Sequence, residues 1–288
     1  MDWSKRRAKY RTILSGSHCV YPGSVFDPIS ARIAEAVGYE ICMFAGSTAS
    51  LAVLGAPDLV VLTLSEFADQ ALRINRACGL PLMVDADHGY GNALNVMRTI
   101  EELETAGVAA ATIEDTMLPL PYGAPDKTRL IPLDEGIGKL RAALAARQDP
   151  AFAVIARTSA MGMTGLAEAV ERVKAYAATG VDAVFLAGVE SREQIEAAAA
   201  VVKVPLVLGN VASDVADLDY LAGKGVRICL QGHAPFRAAV RAIHDAMTAL
   251  RQGTPPDKIA GLASGELMKQ VTRDRDYRRW MKEFLGSG

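Results

Sequence analysis

The chain has 288 residues, half of them hydrophobic, and a formal net charge of -2. This balance argues against the basic surface of a nucleic-acid-binding protein and against a polybasic membrane face. A (β/α)8 barrel typically needs about 250 residues. We therefore expect one domain over residues 1–288, with a helical extension at about 254–288.

The N-terminal stretch is charged and is not followed by a long apolar segment, so neither a signal peptide nor a membrane span is predicted. We expect a cytoplasmic protein. The four cysteines are far apart and form no Cys-x-x-Cys motif, which predicts buried free thiols rather than disulfides or a zinc site. They are Cys19, Cys42, Cys78 and Cys229.

Short apolar runs alternate with amphipathic segments along most of the chain. Strands are predicted at 19–26, 41–45, 80–84, 110–113, 152–156, 183–187, 205–208 and 226–230. Helices are predicted at 28–37, 64–78, 92–106, 134–146, 164–179, 191–202, 215–223 and 235–251. This alternation predicts an α/β fold, a TIM-type (β/α)8 barrel, with a doubly wound open sheet as the alternative. No Gly-x-Gly-x-x-Gly follows the first strand, which disfavours the dinucleotide-binding form of that alternative.

Local signals support these boundaries. Thr63 with Glu66, and Ser191 with Gln194, have capping-box spacing at two helix starts. After residue 251 the pattern changes, and short helices are predicted at 262–267 and 277–284, with aromatic residues on an apolar side. This tail either packs against another subunit or folds back over the bottom of its own barrel.

One buried strand runs directly into a Gly-rich turn that carries Asp85 and Asp87. Side chains alternate along a strand, so both carboxylates are expected to point the same way and to repel unless a cation lies between them. Carboxylate oxygens favour Mg²⁺ or Mn²⁺ over zinc. A pair of solvated loop acids is the alternative for this motif alone.

Functional groups of (β/α)8 barrels lie at the C-terminal ends of the strands. Polar residues follow most of the predicted strands at that end, and their convergence on one rim predicts an active site. They are Ser47, Asp58, Asp85, Asp87, Glu114, Asp115, Arg157, Thr158, Ser159, Asn210, Gln231 and His233.

The spaced motifs of this rim resemble those of a known superfamily. The motifs similar to the metal and substrate motifs of the phosphoenolpyruvate mutase/isocitrate lyase superfamily are Asp58, 85–91, 113–115 and 156–158. Those that resemble its oxaloacetate decarboxylase branch are 25–31, 46–47 and 232–233. The resemblance covers nearly the whole chain. It implies a Mg²⁺-dependent barrel acting on 2-oxo acids, often a tetramer that exchanges its eighth helix between neighbouring subunits, with a dimer as the smaller assembly.

Site roles follow from the resemblance by position. It implies that Asp85 binds the metal directly. The residues that would hold the metal's waters are Asp58, Asp87 and Glu114. Ser47 and Arg157 would bind the carboxylate and keto end of the substrate, and His233 its far carboxylate, with Arg157 and His233 as the catalytic pair. The implied enzyme is a carboxy-lyase that converts oxaloacetate to pyruvate and CO₂ through a metal-stabilised enolate, with Mg²⁺, or Mn²⁺ in its place.

The chemistry of 2-oxo acids is consistent with these roles. A 2-oxo acid chelates a metal through its keto oxygen and neighbouring carboxylate, and the cation acts as a Lewis acid on the keto oxygen. Loss of CO₂ then needs an electron sink and later protonation. Arg157 suits a carboxylate because its planar guanidinium donates two parallel hydrogen bonds, and by alternation it shares a side of its strand with Ser159.

The stretch 117–132 distinguishes the activities within this superfamily from one another. Isocitrate and methylisocitrate lyases carry a catalytic cysteine there, and this chain has none, which disfavours lyase chemistry on hydroxy tricarboxylates. A 2-alkylmalate lyase stays an alternative. Phosphonopyruvate mutases and hydrolases use a Lys and an Asn, of which only Lys127 is present, so that alternative is weakened. The Pro and Gly content predicts a lid. Ser159 stands where many relatives have Asn.

Other classes of function remain open. A Schiff-base aldolase needs a lysine at the C-terminal end of a strand, whereas Lys203 and Lys224 precede strands seven and eight. A metal-dependent hydroxy-acid aldolase would use the same enolate. Outside enzymology, a non-catalytic binder of 2-oxo acids would need only the metal and Arg157.

Overall fold

The alternating pattern folds into a closed sheet surrounded by helices. The computed structural model describes residues 2–123 and 128–286. These residues form eight parallel strands in chain order: β1 Gly23–Ser24, β2 Cys42–Ala45, β3 Leu82–Asp85, β4 Ala110–Glu114, β5 Ala153–Thr158, β6 Ala183–Leu186, β7 Leu206–Leu208 and β8 Val226–Cys229. A parallel bridge between Val20 and Ile228 joins the first and last strands. The predicted (β/α)8 barrel is confirmed.

Helices lie between the strands and after them. Up to β5 they are α1 Ser4–Ser15, α2 Pro28–Val37, α3 Gly46–Ala49, α4 Leu64–Ala77, α5 Ala93–Thr105 and α6 Leu133–Ala146. The later helices are α7 Ala160–Met163, α8 Leu166–Ala177, α9 Arg192–Val201, α10 Leu218–Gly223, α11 Ala234–Arg251, α12 Gly265–Val271 and α13 Asp274–Leu285. In the described part of the chain, every helix is too short or too polar to cross a lipid bilayer.

Both predicted capping boxes are present. Glu66 accepts a hydrogen bond from the Thr63 amide at 3.0 Å, and the Thr63 hydroxyl accepts one from the Glu66 amide at 3.3 Å. Ser191 and Gln194 make the same reciprocal pair at 3.4 and 3.3 Å. The backbone groups left free at these helix starts are thereby satisfied.

Helix α1, which closes the bottom of the barrel, was not predicted from the sequence. Its residues are mostly charged or polar, and only Tyr10 and Leu14, four residues apart, enter the barrel core. The Tyr10 hydroxyl lies 3.3 Å from Met83 Sδ. Two apolar residues are too weak a pattern to predict a helix, although that spacing suffices to plug the barrel end.

Three other parts of the fold differ from the prediction. The first strand is much shorter than 19–26, because pairing is limited to Gly23–Ser24 and the bridge at Val20. The helix expected at 164–179 begins only at Leu166, after Gly165 with φ +96°, and the short helix α7 that precedes it was not predicted. The segment after β2 forms α3 and then a π-helical turn at Ser50–Leu54, which was not predicted.

All four cysteines are free and buried, as predicted. The tail contacts helix α2 of its own barrel. Arg32 on α2 donates to the Val271 carbonyl at 3.1 Å, and Arg273 pairs with Glu35 at 2.9 Å. Helix α11 contributes no buried residue, and Val240, Ile243 and Met247 on it are exposed.

Candidate active site

A cavity of about 690 Å³ opens at the C-terminal ends of the strands. All seven residues assigned to the site from sequence line it. They are Ser47, Asp58, Asp85, Asp87, Glu114, Arg157 and His233. The parallel sheet brings these residues together from positions spread across most of the chain, because each lies on a strand end or in the loop that follows.

Asp85 is the last residue of β3 and is nearly buried, at 8% exposure. One of its carboxylate oxygens accepts a hydrogen bond from the Thr112 hydroxyl at 2.7 Å. The other contacts the guanidinium of Arg157 on β5. The neighbouring strand therefore fixes one oxygen and leaves the second directed at the positive centre of the cavity.

Asp87 reaches the cavity by a route that strand alternation does not describe. Both carboxylates face the same cavity, as predicted, but Asp87 lies two residues beyond β3 with φ +48° and reaches the cavity through a left-handed turn. Its carboxylate fills the space beside Gly46, where a Cβ would collide with it. Its carbonyl accepts from the Glu114 amide at 2.9 Å, which ties the turn to β4.

Glu114 ends β4 and is 5% exposed. It accepts a short hydrogen bond from the Thr116 hydroxyl, and its other oxygen lies 3.1 Å from Arg157 Nη1. A single guanidinium thus lies between Asp85 and Glu114. The same guanidinium is stacked on the Phe185 ring, 5.3 Å from its centroid.

Asp58 and His233, which are far apart in the sequence, both line the cavity. Asp58 lies in the loop between the π-helical turn and α4, and His233 precedes α11. The imidazole Nδ1 of His233 lies 2.9 Å from the hydroxyl of Ser24 on β1, which orients the ring. Burial lowers the pKa of His233, so the ring is neutral near pH 7.

The acids of the cavity carry more negative charge than the chain balances. Burial first, and then the neighbouring Asp85, raises the pKa of Asp87 well above its ordinary value. The same causes raise the pKa of Asp58, and burial raises that of Glu114 against the pull of Arg157. Burial alone would lower the pKa of Arg157, but Asp85 and Glu114 outweigh it and keep the guanidinium charged. The cavity is therefore a site for additional positive charge.

Asp115, included in the predicted rim, does not line the cavity. It is 2% exposed and points between β4 and α8. Its carboxylate accepts from the Thr158 hydroxyl at 2.8 Å, Arg172 at 3.1 Å and the Tyr176 hydroxyl at 2.9 Å. Ser159 and Asn210 do line the cavity, as expected from their strand ends.

The described parts of the stretch 117–132, residues 117–123 and 128–132, border the cavity. The two ends of the stretch are joined by an antiparallel bridge between Thr116 and Leu130, and both Leu118 and Thr128 line the cavity. Lys127 lies outside the described residues. Lys203 and Lys224 border a separate cavity at the opposite end of the barrel, which agrees with the argument against a Schiff-base lysine.

Thr112 and Thr116 were missed as parts of the site. With Glu114 they occupy alternate positions at and just beyond β4, a period of two that places polar side chains on the inner face. That pattern is visible in the sequence. No comparable signal points to Ser24, whose role follows from the three-dimensional neighbourhood of His233.

Comparisons with known proteins agree with the geometry. A family model described as phosphoenolpyruvate phosphomutase matches residues 11–251. A protein of Bradyrhizobium diazoefficiens named oxaloacetate decarboxylase is 53% identical over 286 residues, covering 99% of each chain. A protein of the same name from Bradyrhizobium sp. strain BTAi1 is 51% identical over 288 residues, covering all of both chains.

Solved structures share the fold over nearly the full length. Oxaloacetate acetylhydrolase in complex with the inhibitor 3,3-difluorooxalacetate has a TM-score of 0.85 at 29% identity, covering 99% of this chain and 98% of its own. Phosphonopyruvate hydrolase in complex with oxalate and Mg²⁺ has a TM-score of 0.83 at 30% identity, covering 97% and 99%. The resemblance inferred from the sequence motifs is confirmed: the chain belongs to the phosphoenolpyruvate phosphomutase family, within the phosphoenolpyruvate mutase/isocitrate lyase superfamily.

Proposed function

We propose that this chain is a carboxy-lyase that decarboxylates oxaloacetate to pyruvate and CO₂ with the help of a divalent cation, Mg²⁺ or Mn²⁺. The observation that carries the proposal is the rim of four carboxylates around one guanidinium in a cavity large enough for a four-carbon diacid. Full-length identity above 50% to relatives named oxaloacetate decarboxylase supports the choice of substrate.

The donor set suits a hydrated magnesium ion. Within the described residues, no three side chains of His, Cys, Asp or Glu converge closely enough to ligate one ion directly. Mg²⁺ binds through one or two carboxylates and keeps several waters. We assign Asp85 as the direct ligand. The residues that would hold the waters are Asp58, Asp87 and Glu114. When bound, the cation supplies a Lewis acid at the keto oxygen.

The chain's own residues then divide the substrate between them. Arg157 binds the carboxylate and keto end with two parallel donors, and its charge stabilises the oxygen on which negative charge develops as CO₂ leaves. Ser47 donates to the same end. His233, neutral and oriented by Ser24, lies on the opposite side of the cavity and binds the far carboxylate. No general base is required, because the bond to the departing CO₂ leaves its electron pair on the three-carbon fragment, which then takes up a proton to give pyruvate.

The neighbouring activities fit less well. Lyase chemistry on hydroxy tricarboxylates lacks its cysteine in 117–132, and phosphonopyruvate hydrolysis lacks its Asn there. A non-catalytic binder of 2-oxo acids would not need His233 and the three additional acids beside Asp85.

We also propose a homo-oligomer, a tetramer or dimer, in which α11 packs against a neighbouring subunit. Val240, Ile243 and Met247 repeat on one side of α11 and are 50%, 58% and 67% exposed. A helix with that apolar stripe is stable in water when another surface covers it. The cytoplasmic location expected from the charged N-terminal stretch stays a prediction.

The test is a coupled assay for pyruvate released from oxaloacetate, run with Mg²⁺ and then with excess chelator. Free Mg²⁺ slowly decarboxylates oxaloacetate, so each run needs an enzyme-free control. A saturable rate far above that control, lost on chelation, supports the proposal. A rate equal to the control rejects it, and phosphonopyruvate and 2-alkylmalates become the next substrates to assay.

A further inference from the structure

Asp115 is a buried carboxylate beside the active site that the proposed chemistry does not use. It receives hydrogen bonds from four groups: the Thr158 hydroxyl, the Ser159 amide, Arg172 and the Tyr176 hydroxyl. A buried carboxylate without hydrogen-bond partners would destabilise the fold, and these four donors offset that cost for Asp115.

Three consecutive residues of the β5 end contact Asp115. The Arg157 carbonyl accepts from the Asp115 amide at 3.2 Å, the Thr158 hydroxyl donates to its carboxylate at 2.8 Å, and the Ser159 amide does so at 3.4 Å. Arg157 and Ser159 both line the cavity. Asp115 therefore holds the backbone from the carbonyl of the substrate-facing Arg157 to Ser159.

Helix α8 holds Asp115 in turn. Arg172 and Tyr176 lie one helical turn apart on α8 and are 6% and 1% exposed. The Tyr176 hydroxyl fits because position 136 is glycine, where a Cβ would collide with it. Arg172 also donates to the Ile131 carbonyl at 3.1 Å, at the returning end of the stretch 117–132.

We propose that Asp115 is a positioning residue that fixes Arg157 and Ser159 against the cavity, acting through the β5 end and anchored by Arg172 and Tyr176. This inference rests on the proposed function, in which Arg157 binds the carboxylate and keto end of the substrate. Asp115 itself touches neither substrate nor metal. Its loss should therefore weaken binding of a dicarboxylate much more than binding of the cation.

The test uses calorimetry with Mn²⁺ alone and with oxalate in the presence of Mn²⁺, alongside kcat and KM. Thr158→Val keeps the side-chain shape and removes one donor to Asp115, and should raise the Kd for oxalate about tenfold. Asp115→Asn should raise it further, to about 100-fold. In both variants the Kd for Mn²⁺ should change less than about twofold, since the direct ligand is untouched.

Val173→Ala is the matched control, because Val173 is fully buried on the same helix and contacts the apolar core. It should lower Tm and leave both dissociation constants unchanged. Thr158→Val and Asp115→Asn that behave like this control would overturn the inference. A wild-type protein that binds oxalate with Mn²⁺ but does not decarboxylate oxaloacetate rejects the proposed function, while the same oxalate comparison still decides the role of Asp115. Failure of wild type to bind oxalate overturns both.

Discussion

The two ends of the barrel treat charge in opposite ways. At the bottom, cations and carboxylates are matched within the chain. Arg7 Nη1 lies 2.7 Å from Asp149, and both Arg11 and Arg147 pair with Asp182. These pairs tie α1 and the start of the strands together, and each carboxylate has at least one guanidinium partner.

At the top, four carboxylates line one cavity, and Arg157 contacts two of them, Asp85 and Glu114. Burial first, and then the neighbouring acids, raises the pKa of Asp58, Asp87 and Glu114, which costs stability. The carboxylates at the top thus outnumber the cation beside them, whereas each carboxylate named at the bottom has a guanidinium partner. We infer that the bottom is built for stability and the top for a cation and an anionic substrate.

The largest effect on activity should come from Asp85→Ala, which removes the proposed direct ligand. We expect loss of metal-dependent oxaloacetate turnover by about 1,000-fold or more. The matched control at the bottom is Asp182→Asn, which weakens two ion pairs and should keep the Mg²⁺ dependence. Wild-type activity in Asp85→Ala, without metal dependence, would refute the role assigned to Asp85.

Arg157→Lys comes next. Lysine keeps the positive charge but cannot donate two parallel hydrogen bonds to a carboxylate, so kcat/KM should fall about 100-fold. Arg147→Lys at the bottom should change kcat/KM less than about twofold, because its partner Asp182 needs only a nearby cation. Equal losses in the two variants would show that Arg157 acts as a structural charge.

His233→Gln should have a smaller and more selective effect. The amide still forms hydrogen bonds but loses the imidazole geometry set by Ser24. We expect oxaloacetate kcat/KM to fall about tenfold, while the inhibition constant of oxalate, which lacks the far carboxylate arm, stays within about twofold. Losses of the same size for both would mean that His233 does not read the far carboxylate.

Arg7→Met should change catalysis least and stability most. Arg7 is 5% exposed and bonds to Asp149 and the Val108 carbonyl. Removing it from a pair whose acid is partly solvated should lower the free energy of unfolding by about 2–4 kcal/mol. Urea denaturation measures this loss, and kcat/KM of the folded protein should be unchanged. A catalytic loss as large as that of Arg157→Lys would break the division between the two ends.

The sequence predicted the barrel because buried parallel strands have short apolar runs, and it predicted the cavity lining because parallel strand ends meet at one rim. It could not predict local directions after a strand ends. Asp87 enters the cavity through a left-handed turn, whereas Asp115, one residue after Glu114, turns away into a buried cluster. Nor could it predict α1, because its two buried apolar residues, Tyr10 and Leu14, form too weak a pattern until they are seen to close the barrel end.

The most direct test of a catalytic cation site at the top of the barrel is a crystal structure with Mn²⁺ and oxalate, using anomalous scattering to locate the metal. We predict one metal peak in the top cavity, bonded to Asp85, with oxalate between the ion and Arg157. The residues expected on its waters are Asp58, Asp87 and Glu114. A metal bound elsewhere, or oxalate held away from Arg157, would contradict the claim that the unmatched charge of this rim forms the catalytic site.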